Sequence, residues 1–162
     1  MKNLRHYYRL IGLSIVLSAF FLSSCGDWTL PPELVGEWKS KKKLLITVRT
    51  KVEKEWIFTS DTATITIKIN SDHSVSGTIG TATFENGIIK KNRGNPETTG
   101  IAQTIKCGSI GKIFPDDPLN SKEVELYLGP LEGNRIDTEL RYTEGGAHFP
   151  MAGMILMKDD DL

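Results

Sequence analysis

TATITIKIN, residues 62–70, is the stretch that decides the fold. Apolar and polar residues alternate through it without a fault, and Ala63, Ile65, Ile67 and Ile69 share one face. A period of two places successive side chains on opposite faces of a strand, so the pattern predicts a half-buried strand. The turn residues SDHS follow, and the run VSGTIGTATF over 75–84 is predicted to return as the hairpin partner. ENG over 85–87 then predicts the next turn.

The same alternation recurs along the rest of the chain. It predicts further strands around these apolar residues: Leu44, Ile46 and Val48; Trp56 and Phe58; Val124, Leu126 and Leu128; Ile136, Leu140 and Tyr142; Met154 to Met157. We expect eight to ten strands, and after residue 24 no segment has the 3.6-residue period of a long amphipathic helix. Strands of this kind close as a barrel or pack as a sandwich.

The tripeptide Gly36-Glu37-Trp38 opens the first of these strands, directly after a segment that contains two prolines. It resembles the G-x-W start of lipocalin-like and other calycin barrels. The resemblance implies an all-β, antiparallel up-and-down barrel of about eight strands, lipocalin-like, in which Trp38 plugs the closed end above Gly36. It also implies a basic residue from a late strand over Trp38, for which Arg141 is the first candidate and Lys158 the second. The family's middle T-D-Y element has no counterpart here, and a β-sandwich with Trp38 as an ordinary core residue is the alternative.

A second pattern fills the first 25 residues. Three bases, Lys2, Arg5 and Arg9, precede twelve uncharged residues, Leu10 to Phe21. A basic start, a short apolar run and small residues at its end are typical of a secretory signal. Twelve helical residues span about 18 Å, less than the roughly 30 Å of a bilayer core, so the run is too short for a membrane span.

Leu22-Ser23-Ser24-Cys25 resembles the lipobox of bacterial lipoproteins. The resemblance implies cleavage between Ser24 and Cys25, and a diacylglycerol and an N-acyl chain on Cys25 that hold the protein in the cell envelope, preferably at the outer membrane. An ordinary secretory signal with a chance cysteine is the alternative. The domain organisation expected is a signal peptide over 1–24, the lipidated cysteine and tether over 25–35, the barrel over 36–158 and an acidic tail over 159–162.

Charge and cysteine content narrow the function classes. The chain has 20 bases and 20 acids, and loss of residues 1–24 leaves 17 bases and a net charge near −3. No dense basic patch with interleaved aromatics is present, which excludes a nucleic-acid partner. With Cys25 acylated, Cys107 has no disulfide partner, and we expect it to be a buried core residue.

No arrangement of residues in the sequence points to catalysis, a metal or a cofactor. Two histidines remain after the signal, His73 and His148, far apart and without a cysteine cluster to complete a zinc set. Asp116-Asp117 could offer carboxylates to calcium, but the spacing and central glycine of a calcium loop are absent, so a connecting loop is preferred. No nucleophile elbow, metalloprotease motif or phosphate-binding loop occurs. The prediction is a protein that is not an enzyme.

The bases Lys39, Lys41, Lys42 and Lys43 have two interpretations. They are a lysine-rich, aggregation-resistant edge strand, or they hold the domain against anionic headgroups near the lipid anchor. The edge-strand interpretation is preferred.

Three functions are then open. The first is a lipid-anchored carrier with a small apolar ligand in the barrel, lined by Ile65, Ile67, Ile69, Leu126, Leu128, Met154 and Leu156. The second is a structural or protein-interaction lipoprotein with a solid core, an inhibitor being a special case. The third, an enzyme, is the least favoured. A hollow and a filled barrel require the same apolar alternation, so the sequence leaves that choice open.

Overall fold

The structure, a computed structural model, describes residues 28–144 and 146–158. The predicted signal peptide over 1–24, Ser24 and Cys25, and the acidic tail over 159–162 lie outside the described residues. The described residues form ten strands: β1 Gly36–Ser40, β2 Leu44–Val52, β3 Glu55–Ala63, β4 Ile65–Ile69, β5 Ser74–Ile79, β6 Ala82–Lys91, β7 Gln103–Ile110, β8 Lys122–Glu132, β9 Arg135–Glu144 and β10 Ala147–Lys158. A 3₁₀ turn, Pro32–Leu34, and one helical turn, α1 Pro96–Thr99, complete the elements.

Eight strands close into an antiparallel up-and-down barrel in the order β1-β10-β9-β8-β7-β6-β5-β4, with β4 pairing back onto β1. The predicted all-β barrel is therefore confirmed, and the sandwich alternative is excluded. The alternating apolar residues of each strand point inward and form one continuous hydrophobic core.

The stretch TATITIKIN spans a break between two strands. Ala63 ends β3 and Ile65 begins β4, and the N–H of Ile65 donates to Oγ of Ser40 at 3.1 Å. On one side of the break β1 pairs with β4, and on the other side β2 pairs with β3. The four strands thus form one long hairpin with a kink, whose outer half, β2–β3, is a separate two-stranded sheet.

The predicted hairpin partner over 75–84 is also two strands, which corrects that expectation. Gly80 and Thr81 form a tight turn between β5 and β6. A Cβ on Gly80 would lie 2.1 Å from the carbonyl oxygen of Ile113, and Gly80 has a φ of 59°, so only glycine fits there. The turn predicted at 85–87 was wrong, because Glu85 and Asn86 form a bulge inside β6.

The two ends of the barrel differ. At the end where β1 begins, called the tether end, lie residues 28–35 and the connections 70–73, 92–102 and 133–134. At the opposite end, called the hairpin end, lie the β2–β3 hairpin, the turn at 80–81, the loop 111–121 and the β9–β10 turn. In the part of the chain that the structure describes, no helix is long and apolar enough to cross a bilayer.

Candidate functional site

The barrel interior is filled where the sequence suggested a ligand pocket. All seven residues expected to line such a pocket lie in the core: Ile65, Ile67, Ile69, Leu126, Leu128, Met154 and Leu156. Six of them expose 1% or less of their surface, and Met154 exposes 7%. A side chain that borders a void wide enough for water keeps accessible surface even when the void is closed. The interior beside those six side chains is therefore packed, and the sites available for recognition lie at the ends and on the outer wall.

Trp38 of the G-x-W pattern lies at the tether end. Trp38 is fully buried, and its Nε1 donates to the carbonyl oxygen of Leu34 in the 3₁₀ turn at 2.9 Å. Gly36 has a φ of 132°, and a Cβ there would lie 3.1 Å from Cε of Lys158. Nζ of Lys158 lies 5.6 Å from the Trp38 ring centroid and donates to the carbonyl oxygen of Glu33 at 2.8 Å. This end is thus sealed by a tryptophan, a turn and a lysine.

The cation over Trp38 is Lys158, which corrects the choice of Arg141. Lys158 is level with Trp38 because the two residues pair between β10 and β1. Both neighbours of Arg141 in β9 point inward, so its own side chain points outward. The Arg141 guanidinium lies 4.4 Å from the Tyr127 ring centroid and pairs with Glu139 at 2.5 Å. Arg141 therefore belongs to the outer wall.

The hairpin end is covered by β2. Ile46 and Val48 are fully buried and belong to the barrel core. The hydroxyl of Tyr142 donates to the carbonyl oxygen of Arg49 at 2.6 Å, which joins β9 to the hairpin. The Arg49 guanidinium lies 3.8 Å from the centroid of the Phe149 ring on β10. The inner part of the hairpin is thus fastened across the second end of the barrel.

The outer part of the same hairpin carries most of the exposed large apolar side chains. Of six such side chains in the described residues, five lie on β2 and β3: Leu45, Val52, Trp56, Ile57 and Phe58. The outward edge of β3 pairs with no strand in residues 28–144 and 146–158. Unpaired edges and clustered apolar surface are features that soluble proteins usually cover or interrupt. We call the part of this surface that lies on β3, formed by Trp56, Ile57 and Phe58 along the unpaired edge, the β3 edge.

An amphipathic groove of about 920 Å³ lies on the outer wall over β8, β9 and β10. Its floor is formed by Tyr127, Glu139 and Gly153, which are neighbours across the three strands. Residues 99–101 form one bank, and residues 41–44 contribute to the other. A Cβ on Gly153 would meet no atom within 4 Å, so the missing side chain helps to keep the groove open. We call it the outer-wall groove.

A set of titratable groups adjoins the outer-wall groove. The Glu125 carboxylate accepts from the Tyr127 hydroxyl at 2.6 Å, and Lys106 lies 3.3 Å and His148 Nδ1 3.5 Å from it. Burial raises the pKa of Glu125, but the hydrogen bonds from Tyr127 and Lys106 outweigh it, so the pKa is lowered overall. Burial and the bond to Glu125 raise the pKa of Tyr127 to about 12. Glu125 is thus anionic and Tyr127 neutral at pH 7, and neither is matched to proton transfer there.

A second groove, also of about 920 Å³, lies at the tether end. The rings of Trp28 and His73 stack along it with centroids 5.3 Å apart. Lys90, Lys91 and Arg93 also border it, all three exposed. None of these bases pairs with a carboxylate of the described residues. We call this the tether-end groove.

Asp117, in the loop after β7, uses its carboxylate to hold this loop together, so that carboxylate is not free to bind calcium. It is fully buried, and its carboxylate pairs with Nζ of Lys122 at 2.5 Å. The same carboxylate accepts from the backbone N–H groups of Ile113 at 2.9 Å and Leu119 at 3.0 Å. Its oxygens therefore bind this loop together.

Cys107 is a free, buried cysteine, as predicted. Burial raises the pKa of its thiol, so the reactive thiolate is disfavoured. Within the described ranges, no three His, Cys, Asp or Glu side chains are grouped closely enough to hold a metal ion.

Comparison of the chain with protein-family models, with curated proteins and with solved structures gives no match in any of the three.

Proposed function

We propose that this chain is a non-enzymatic, lipid-anchored lipoprotein of the bacterial cell envelope that binds a protein partner through the β3 edge. Cys25 would carry the diacylglycerol and N-acyl chains, and the outer membrane would be its site. The observation that carries the binding proposal is the concentration of exposed apolar side chains on β2 and β3, beside an unpaired strand edge. A filled core supports this function over a ligand carried inside the barrel.

The sequence of β3 supports a partner in extended conformation. β3 reads EWIFTSDTA, with no charge between Glu55 and Asp61 and neither lysine nor proline. Such residues are the ones that usually block edge-to-edge pairing. An extended segment of an envelope protein would add to β3 as a further strand, with its backbone bonded to the edge and its apolar side chains against Trp56 and Phe58.

The position of the β3 edge suits a tethered protein. The chain reaches the barrel at Trp28 on the tether end, whereas Trp56 contacts Phe149 on the hairpin end. The nine residue steps from Phe149 to Lys158 extend about 30 Å along β10. The β3 edge would therefore face away from the membrane that holds Cys25, where a partner has access.

Photocrosslinking in cells tests the proposal. A benzophenone amino acid in place of Phe58 is expected to capture one protein, and mass spectrometry should place the adduct on an extended segment of it. The same label in place of Glu123, exposed on the outer wall, is the position control.

Two lysine substitutions then distinguish specific binding at the β3 edge from nonspecific binding to exposed apolar side chains. With the label at Ile57, Phe58→Lys should abolish the adduct, whereas Leu45→Lys should leave it unchanged. Phe58 and Leu45 are matched, being 63% and 64% exposed. Equal labelling from Phe58 and Glu123, or equal effects of the two substitutions, would contradict binding at the β3 edge. An adduct between two copies of this chain would identify the partner as the protein itself.

A second candidate function is binding of a small amphipathic or apolar ligand in the outer-wall groove. Its volume and its mixture of Tyr127, Ile155 and Arg141 favour such a ligand. Native and denaturing mass spectra of the purified protein would reveal a bound molecule. Gly153→Phe should expel it by filling the floor, while Gly111→Phe, at another open glycine, should not. A ligand retained in Gly153→Phe would exclude this groove.

A further inference from the structure

The tether-end groove lies close to the residue that would hold the lipid. Cys25 stands three residues before Trp28, and three residues span at most about 10 Å. The ring of Trp28 forms part of the groove through its stack on His73, with an interplanar angle of 21°. Whatever membrane holds Cys25 therefore reaches to within about 10 Å of this groove.

The composition of the groove matches a membrane surface. Lys90, Lys91 and Arg93 supply three exposed positive charges, and Ile88 supplies an apolar side chain that is 47% exposed. Tryptophan is favoured at the boundary between headgroups and acyl chains, and bases are favoured beside anionic lipid phosphates. Of the acids on the adjoining turns, Asp72 already accepts from the N–H and the hydroxyl of Ser74. Two further acids at the tether end, Glu97 on α1 and Glu33 on the 3₁₀ turn, are exposed.

The lysine run of the sequence lies at the wrong end for the same role. β1 runs from the tether end to the hairpin end, so Lys41, Lys42 and Lys43 follow it at the hairpin end. β1 is also paired on both sides, with β4 and β10, so the edge-strand interpretation of the run is wrong for that strand. The tether end instead carries the three exposed bases at and after the end of β6, Lys90, Lys91 and Arg93, in addition to Lys158.

We propose that the tether-end groove docks on the phosphate groups of anionic phospholipids in the membrane that holds Cys25. Lys90, Lys91 and Arg93 contact the phosphates, and Trp28 and Ile88 lie in the interfacial layer. This inference rests on the proposed lipid anchor, and it adds an orientation: the tether end faces the bilayer and the β3 edge faces away.

Binding of the unlipidated chain measures the groove without the anchor. The Cys25→Ala protein without residues 1–24 is sedimented with vesicles of phosphatidylcholine alone or mixed equally with phosphatidylglycerol. Each base near an anionic surface contributes about fivefold in affinity, so the charge reversal Lys90→Glu, Lys91→Glu, Arg93→Glu should weaken binding to the mixed vesicles at least about a hundredfold. The matched control is Lys41→Glu, Lys42→Glu, Lys43→Glu, which should change it by less than about threefold.

Tryptophan quenching reads the orientation of the lipidated protein. Trp38 is shielded inside the barrel, while Trp28 and Trp56 mark the two ends. With spin-labelled headgroups in the mixed vesicles, the Trp56→Phe protein should be quenched several-fold more than the Trp28→Phe protein. Because the anchor alone keeps Trp28 near the membrane, the reversal at residues 90, 91 and 93 should reduce that difference without abolishing it.

The outcomes separate this inference from the anchor. Equal vesicle binding by the wild type and the reversal at residues 90, 91 and 93, or stronger quenching at Trp56 than at Trp28, would overturn the docking of this groove. A chain without lipid mass on Cys25 would overturn the anchor alone, because the sedimentation assay still tests the groove.

Discussion

Replacing Leu126 with alanine tests whether the barrel is a packed solid. Leu126 is 0% exposed, and its backbone pairs with Ile105 on β7 and Leu140 on β9, whose side chains are equally buried. The substitution deletes three carbons, worth about 2.4 kcal/mol of transfer free energy at about 0.8 kcal/mol per methylene. Because the strand ladders hold the surrounding side chains apart, a cavity remains and brings the expected loss to about 3–5 kcal/mol.

Leu45→Ala is the matched control, since it makes the same chemical change at a side chain that is 64% exposed. It should cost less than about 1 kcal/mol, because most of the leucine surface is already in water. The measurement is urea denaturation of both variants and the wild type, followed by tryptophan fluorescence and circular dichroism. If Leu126→Ala costs no more than Leu45→Ala, the interior is not packed, and the carrier hypothesis regains its site.

Three further predictions follow from specific contacts. Lys122→Met should lower the free energy of unfolding by about 3–5 kcal/mol, because it leaves the buried Asp117 carboxylate without its cation. Thermal denaturation measures this change. A loss below about 1 kcal/mol would contradict the buried pair. Tyr142→Phe removes the bond to the carbonyl oxygen of Arg49 and should cost about 1 kcal/mol, with hydrogen exchange accelerated in β2 and β3 but not in β8. The lowered pKa of Glu125 stabilises the fold above the unfolded value of about 4.3, and this contribution is lost as the pH falls through the folded pKa. In urea titrations from pH 7 to pH 3, Glu125→Gln should therefore show a smaller loss of stability than the wild type, and parallel curves would contradict the lowered pKa.

The barrel could be predicted from the sequence because apolar and polar residues alternate along its strands with a period of two. Ala63, Ile65, Ile67 and Ile69 are all buried, as the alternation requires. The break between Ala63 and Ile65 could not be predicted from the sequence, because the kink keeps the apolar face of both strands inward and the alternation continues through it. The turn at Gly80 did have a sequence signal, because a glycine inside an alternating pattern indicates either a bulge or a turn. The prediction of one continuous strand over 75–84 overlooked this signal.

Two features of the candidate sites, the cation over Trp38 and the exposure of residues 56–58, could not be predicted without knowing how the strands pair. Arg141 could have been assigned outward from its place between two inward residues of β9. The choice of Lys158 depends on how β10 closes against β1, which no local pattern encodes. The apolar triplet Trp56-Ile57-Phe58 reads as a buried strand, yet all three side chains are exposed because β3 leaves the barrel.

The arrangement of the two ends follows from counting strands. In an antiparallel up-and-down barrel, each strand carries the chain to the other end, so a connection after an odd number of barrel strands lies opposite the start. The β2–β3 hairpin follows one barrel strand and must therefore leave the barrel at the end remote from Trp28. The connection that carries Arg93 follows four barrel strands, β1, β4, β5 and β6, and must return to the tether end. Closure pairs every barrel strand on both sides over at least part of its length, whereas in the described residues β3 keeps one edge that no strand pairs with along its whole length. In the proposed function, an anchor ahead of the first strand and a hairpin inserted after that strand would therefore put the membrane and the partner at opposite ends of the barrel.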